Sequence, residues 1–161
     1  RYPRGEGIGA ALEEPFTPLE SLAAEVLEEE GEIAILAVGS MVDAAQKTAK
    51  LLKEEGLSAA VVNMRTVKPL DKELLHRMAH EKKMLVTMEE NALAGGFGSA
   101  VLEALADAGI LVPVVRFGIG DAFIEQGKPQ ELLEMAGLLP EQMARSILTA
   151  WKGACDGEGA A

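Results

Sequence analysis

The chain has 161 residues, 48% of them hydrophobic but with only one Trp and one Tyr, which fits one domain with an aliphatic core. Its 26 acidic and 15 basic residues give a formal net charge of -11, which argues against nucleic acid or an anionic membrane surface as a partner. The single cysteine, Cys155, excludes an internal disulfide and a multi-cysteine metal site, and no apolar run resembles a membrane span or signal peptide. We therefore expect a cytoplasmic protein. Because the sequence starts at Arg1 without a methionine, we also expect a longer parent polypeptide.

The first third of the chain predicts a linker, two strands and a helix. Residues 1–18 are rich in Gly and Pro and are interpreted as a linker from a preceding domain. Residues 23–28 and 33–38 predict two strands of a hairpin around Gly31, although the Leu and Glu content of the first also suits a helix. Ser40 then has the residue type of an N-cap for a helix that runs to about residue 55.

The rest of the chain repeats strand and helix. Apolar runs predict strands at 59–64, 84–88 and 113–117, the last at a strand start or sheet edge because of its proline. Asp71 is the expected N-cap of a helix to about residue 80, and further helices are predicted at 99–108, 129–136 and 141–151. Repeated units of this kind indicate an α/β fold, with a parallel sheet covered on both faces. The folded domain is expected at 19–152, with a disordered tail at 153–161.

The turn after the strand at 84–88 is the first place to look for function, because ligands of open α/β sheets bind at the carboxyl ends of strands. Two carboxylates, Glu89 and Glu90, precede a glycine cluster at 95–98. This cluster has neither dinucleotide nor P-loop spacing, so tight packing of the next helix on the sheet is favoured over ligand contact. Adjacent strand residues point to opposite faces, so the two carboxylates cannot act on one substrate atom. Capping, loop hydrogen bonds or a subunit contact are the favoured uses.

Three other features admit a functional interpretation. His76 and His80 have the i, i+4 spacing of a metal pair, but H-E-x-x-H would need Glu where Arg77 stands, so a solvated helix face is favoured. The tail residue Cys155 has no neighbouring cation to activate it. The loop at 121–127 carries two carboxylates and two apolar side chains, which suits either a contact loop or, more simply, a surface connection.

Arg4 belongs to a segment that could hold a phosphate. Two guanidinium groups flank a rigid proline, and the segment ends in a permissive glycine. By spacing alone, a solvated terminal linker explains the same residues. The resemblance described next is what favours a phosphate site.

Five motifs, in this order, resemble the C-terminal domain of the 1-deoxy-D-xylulose-5-phosphate synthase family. The match extends from Arg1 to about Trp151. The motifs are Arg1-Tyr-Pro-Arg-Gly5, Ala34-Ile-Leu-Ala-Val-Gly-Ser40, Val62-Asn-Met-Arg-Thr-Val-Lys-Pro-Leu-Asp71, Val86-Thr-Met-Glu-Glu-Asn-Ala-Leu-Ala-Gly-Gly-Phe-Gly-Ser99 and Phe123-Ile-Glu-Gln-Gly127. Where the family commonly has Ile-Gly-Lys, this chain has Ser21-Leu22-Ala23, a local departure.

The resemblance implies a three-layer α/β/α domain with a mostly parallel five-stranded sheet that includes one antiparallel strand. It further implies a homodimeric parent that uses thiamine diphosphate and Mg2+ to condense pyruvate with glyceraldehyde 3-phosphate, releasing carbon dioxide, for isoprenoid synthesis. The cofactor-binding and catalytic groups of the family lie in preceding domains, so no catalytic, cofactor-binding or metal residue is expected here. The one site residue carried over is Arg4, as an anchor for the acceptor's phosphate.

Two alternatives remain from the sequence. One is a free-standing α/β module that binds a small molecule. The other is the equivalent domain of a transketolase or a 2-oxo acid dehydrogenase, since similar Glu-Glu and Gly-Gly turns occur across that superfamily. The motifs at 1–5 and 123–127 favour the synthase over the second alternative.

Overall fold

A computed structural model describes residues 21–157, with side chains described to residue 154. The elements in chain order are β1 (Glu25–Glu28), β2 (Ile33–Ala37), α1 (Met41–Glu54), β3 (Ala59–Asn63), α2 (Lys72–Glu81), β4 (Met84–Ala92), α3 (Phe97–Asp107), β5 (Val114–Ile119), α4 (Pro129–Met135) and α5 (Pro140–Gly157). The predicted linker at 1–18 lies outside the described residues.

The five strands form one sheet in the order β1-β3-β2-β4-β5. The pairs β2/β3, β2/β4 and β4/β5 are parallel, and β1 pairs antiparallel with β3. Helices α1 and α5 pack on one face, while α2 and α3 pack on the other. This arrangement confirms the predicted three-layer α/β/α fold with one antiparallel strand. It also confirms that the strand at 113–117, observed as β5, lies at a sheet edge.

The predicted hairpin of the first two strands is wrong. Both strands exist, but β2 is paired on both sides by parallel neighbours, so β1 instead takes the free edge of β3. The connection crosses the amino end of β3, where Gly31 adopts φ +133 and approaches the Ser58 backbone so closely that a Cβ would lie 2.5 Å from it. Only glycine accommodates that crossing.

Strand β4 and helix α5 both extend beyond their predicted ends. Strand β4 continues four residues past Met88 to Ala92, because the charge of Glu89 is accommodated inside the fold. Helix α5 continues to Gly157, so the tail predicted as disordered from 153 is helical at its start, and 158–161 lie outside the described residues. On α3, Val101 and Leu105 are buried against the sheet, while Leu102 is 38% exposed.

The core has two halves, one on each face of the sheet. The strands contribute alternate residues to each half, as the two-residue period of a strand requires. Five methionines are buried in the core, namely Met41, Met64, Met78, Met84 and Met88. Among the described residues, no helix is long and apolar enough to cross a membrane. The carboxyl ends of β2, β3, β4 and β5 form one edge of the sheet, called here the carboxyl edge.

Candidate functional site

Glu89 is the buried charge at the centre of the carboxyl edge. Its side chain is fully buried, and Oε2 accepts a hydrogen bond from the Phe97 amide at 2.8 Å while Oε1 accepts one from the Gly98 amide at 2.8 Å. These two amides open α3, so the carboxylate of a neighbouring strand satisfies donors that no residue of the turn caps. A negative charge at a helix N-terminus is favourable, which explains how β4 tolerates it. The prediction of a capping or loop-bonding role is confirmed.

The glycine cluster makes room for this carboxylate. A Cβ at Gly96 would overlap the Glu89 Oε2 atom and the Ala92 carbonyl oxygen. A Cβ at Gly98 would lie 2.7 Å from Thr87 Oγ1, and one at Gly118 would lie 3.0 Å from Glu89 Cγ. The glycines therefore bring α3 against the sheet, which confirms the favoured structural interpretation of the cluster.

Arg116 on β5 holds the other side of the turn. Its guanidinium donates to the Leu93 carbonyl at 3.2 Å and to Ser99 Oγ at 3.2 Å. Ser99 Oγ in turn donates to the Leu93 carbonyl at 2.8 Å and accepts from the Gly95 amide at 3.1 Å. The turn is thus fixed by three side chains on β4, α3 and β5, and Arg116 and Ser99 were not singled out by sequence.

Glu90 lies on the opposite face of β4, as the alternation of a strand requires. Its carboxylate accepts a hydrogen bond from the hydroxyl of Ser40, which precedes α1. Ser40 occupies the predicted N-cap position but makes no side-chain cap hydrogen bond, because its hydroxyl is engaged by Glu90. The two carboxylates therefore address different partners and do not form an acid/base pair.

Two residues hold the stretch of chain that leads into β1. Arg65 donates to the Ala23 carbonyl at 3.2 Å and pairs with Glu25 at 3.0 Å. Asp71 accepts from the Ala24 amide at 2.9 Å with one oxygen and caps α2 through Leu74 N at 3.0 Å with the other. The predicted N-cap role of Asp71 is confirmed, whereas its hydrogen bond with the Ala24 amide is seen only in the tertiary structure.

The remaining candidates do not join this turn. His80 is exposed as predicted, whereas Nε2 of His76 is buried and has no hydrogen-bond partner within the described residues, so His76 is not a simple solvated residue. The loop at 121–127 is exposed throughout. Arg4 and the side chain of Cys155 lie outside the described part of the chain.

A cleft of about 360 Å³ opens beside the turn, lined by Val67, Glu89, Asn91, Ala92, Ala94, Gly95, Gly96 and Phe97. None of these residues is basic, and the first amides of α3 are already bonded to Glu89, so the cleft does not suit a diphosphate. Across the described residues, no three His, Cys, Asp or Glu side chains come together to hold a metal ion. The residues present therefore do not fit thiamine diphosphate or its Mg2+, and no chemical step is assigned to them.

Fold and site together define a three-layer α/β/α domain in which the Glu89 carboxylate of β4 binds the first amides of α3. The family profile described as transketolase, C-terminal domain, matches residues 22–143. The chain therefore belongs to the transketolase C-terminal domain family.

The similar proteins are much longer than this chain. It is 50% identical over 149 residues to the 1-deoxy-D-xylulose-5-phosphate synthase of Thermosynechococcus vestitus, covering 92% of the chain and 23% of that synthase. It is 48% identical over 151 residues to the synthase of that name from Synechocystis sp., covering 93% of the chain and 24% of that protein. The chain thus spans about a quarter of the length of the curated relatives it matches.

Solved structures share the fold. A split-gene transketolase, described as an inactive beta4 tetramer, superposes with a TM-score of 0.76 at 36% identity, covering 88% of this chain and 45% of that one. Transketolase from Campylobacter jejuni superposes with a TM-score of 0.59 at 22% identity, covering 86% of this chain and 20% of that one, a likeness of fold alone.

Proposed function

We propose that this domain is the C-terminal part of a 1-deoxy-D-xylulose-5-phosphate synthase, a cytoplasmic transferase of isoprenoid precursor synthesis. The parent would condense pyruvate with glyceraldehyde 3-phosphate and release carbon dioxide. The observation that carries the proposal is the identity near 50% over 92% of the chain to proteins of that name. The five ordered motifs from 1–5 to 123–127 support it.

Within that parent, we assign this domain a structural role. Among the described residues Glu89 is the buried carboxylate, and because it is fully enclosed and both of its oxygens are bonded to backbone amides, its role is to anchor the start of α3. Thiamine diphosphate and Mg2+ would be held by preceding domains, because the described residues offer them no suitable donors. The domain would help to close the active site and to support a homodimer.

Arg4 is the one residue of this chain to which we assign a substrate contact. A guanidinium can bind phosphate bidentately, and the Arg1-Tyr-Pro-Arg-Gly5 motif supports its assignment to the acceptor substrate. The remaining walls of that pocket would come from preceding domains. This role is a proposal for a residue outside the described part of the chain.

The test starts from the parent polypeptide in its source cells. An antibody raised against this domain should capture a polypeptide several-fold heavier than 17.0 kDa, measured by intact mass. The captured protein should release carbon dioxide from pyruvate only when glyceraldehyde 3-phosphate, thiamine diphosphate and Mg2+ are present. The 161-residue chain should give no product in the same assay.

The second candidate is the corresponding domain of a transketolase, favoured by the 36% identity to the split-gene protein. The same assay separates the two, since transketolases move a two-carbon unit between sugar phosphates without releasing carbon dioxide. Transfer from a ketose phosphate with no carbon dioxide from pyruvate would overturn the synthase proposal. A native protein of about the mass of this chain would overturn both.

A further inference from the structure

The loop after β5 exposes an aromatic residue that none of the described residues covers. Phe123 is fully exposed, and Ile124 beside it is 37% exposed. Every residue from 120 to 131 is exposed, so the loop does not fold back onto its own core. Two adjacent exposed apolar side chains give the loop a small apolar surface that a partner could bury.

The position of the loop indicates what could cover it. Residues 120–128 follow the carboxyl end of β5 and therefore lie at the carboxyl edge of the sheet. Glu25, the first residue of β1, pairs with Asn63, the last residue of β3, so the described chain approaches β1 at this edge. Arg65 and Asp71 fix that approach through the Ala23 carbonyl and the Ala24 amide.

The dimensions allow one neighbour to reach both places. Five strands spaced about 4.8 Å apart make an edge about 20 Å wide. A domain of about 100 residues has a radius of gyration of about 13 Å, so its diameter of at least about 26 Å exceeds that width. A domain that precedes β1 in the same chain would therefore be wide enough to reach the β5 loop.

We propose that Phe123 and Ile124 dock against the preceding domain of the same polypeptide. The inference rests on the proposed function only in requiring a longer parent chain. The docking surface comprises these two apolar side chains flanked by the carboxylates of Asp121 and Glu125. The complementary surface is an apolar depression with basic groups or backbone amides at its rim.

The test uses photochemical cross-linking in the full-length parent. A benzophenone amino acid replaces Phe123 in one preparation and Leu111 in another. Leu111 is a matched control, because it is 99% exposed but precedes β5 and so lies at the amino ends of the parallel strands, opposite the carboxyl edge. After irradiation, gel mobility separates cross-links within one chain from cross-links between chains, and mass spectrometry of the peptides maps them.

The expected result is a cross-link from position 123 to residues that precede Arg1 in the same chain, in several-fold higher yield than from position 111. Cross-links of doubled mass would instead place a second copy on the loop and overturn the proposal. Equal yields from both positions would overturn it as well. The carbon dioxide assay on the unmodified parent is independent, so an inactive parent with the expected intrachain cross-link would reject the synthase reaction and support the docking surface.

Discussion

Gly96 leaves the space that the carboxylate of Glu89 occupies. The missing Cβ would overlap both Glu89 Oε2 and the Ala92 carbonyl oxygen, and the second of these is backbone that cannot rotate away. The carboxylate reaches the Phe97 amide at 2.8 Å through this gap. The approach of the turn before α3 to the sheet thus depends on a residue without a side chain.

Replacing Gly96 by alanine should destabilise the domain. Displacing the turn or breaking the Glu89 hydrogen bonds should lower the free energy of unfolding by about 2–4 kcal/mol, measured by urea denaturation. The matched control is Gly153→Ala in α5, where a Cβ meets open space and should stabilise by about 0.5–1 kcal/mol. Equal effects of the two substitutions would show that the Gly96 contact does not matter.

The stability lost on substituting Glu89 should depend on how many hydrogen-bond acceptors remain for the two amides. Glu89→Ala leaves two buried amides without partners and should cost about 3–5 kcal/mol, whereas Glu89→Gln keeps one acceptor and should cost about 1–3 kcal/mol. Denaturant titration gives the free energy of unfolding of each variant and so tests this order of stability. If the carboxylate were instead a catalytic group, Glu89→Gln would keep full stability and abolish activity of the parent.

Arg65 should hold β1 onto the sheet. Among the described residues, Arg65 is the non-glycine residue with a positive φ, at 56°. Its guanidinium donates to the Ala23 carbonyl and pairs with the Glu25 carboxylate. Arg65→Ala should accelerate amide hydrogen exchange in β1 while leaving β2 protected. Arg65→Gly should be more stable than Arg65→Ala by about 1 kcal/mol, because glycine relieves the left-handed backbone. Uniform acceleration across all strands would contradict a local role.

The pair of Glu29 and Arg77 should contribute stability that depends on pH. The hydrogen bond from Arg77 lowers the pKa of the Glu29 carboxyl below its ordinary value of 4.5, and the same bond raises the pKa of Arg77. The contribution is therefore fully present above pH 4.5 and is lost as the pH falls through the lowered pKa. In Arg77→Gln, NMR titration should show the Glu29 pKa higher than in the original protein. Because both side chains are exposed, salt should weaken the effect, and an unchanged pKa would reject the pairing.

Arg4→Ala in the parent should selectively weaken binding of the acceptor substrate. Loss of a charged phosphate contact of about 1.5–3 kcal/mol corresponds to roughly a 10- to 150-fold rise in KM for glyceraldehyde 3-phosphate. The KM for pyruvate should stay unchanged, and Arg4→Lys should retain part of the affinity. Steady-state kinetics with each substrate varied in turn measures this. A matching rise in both KM values would count against a phosphate contact.

The local pattern of the sequence predicted most elements and their order. The continuous apolar run of β2 indicates a strand covered on both faces, and Asp71 before an amphipathic run indicates the start of α2. The alternation of Glu89 and Glu90 across a strand was enough to separate their roles. These inferences succeed because strand alternation, helix periodicity and capping depend on residues close together in the chain.

Only the tertiary structure decided the partner of β1, the length of β4 and the bonds of Glu89. Strand propensity does not specify which edge accepts a strand, and β2 had no edge left once β3 and β4 paired with it. A glutamate in sequence suggests the end of a buried strand, yet the amides of Phe97 and Gly98 replace the water that it loses. The physical reason is the same in each case: hydrogen-bond partners distant in sequence become available only when the sheet and its helices are assembled.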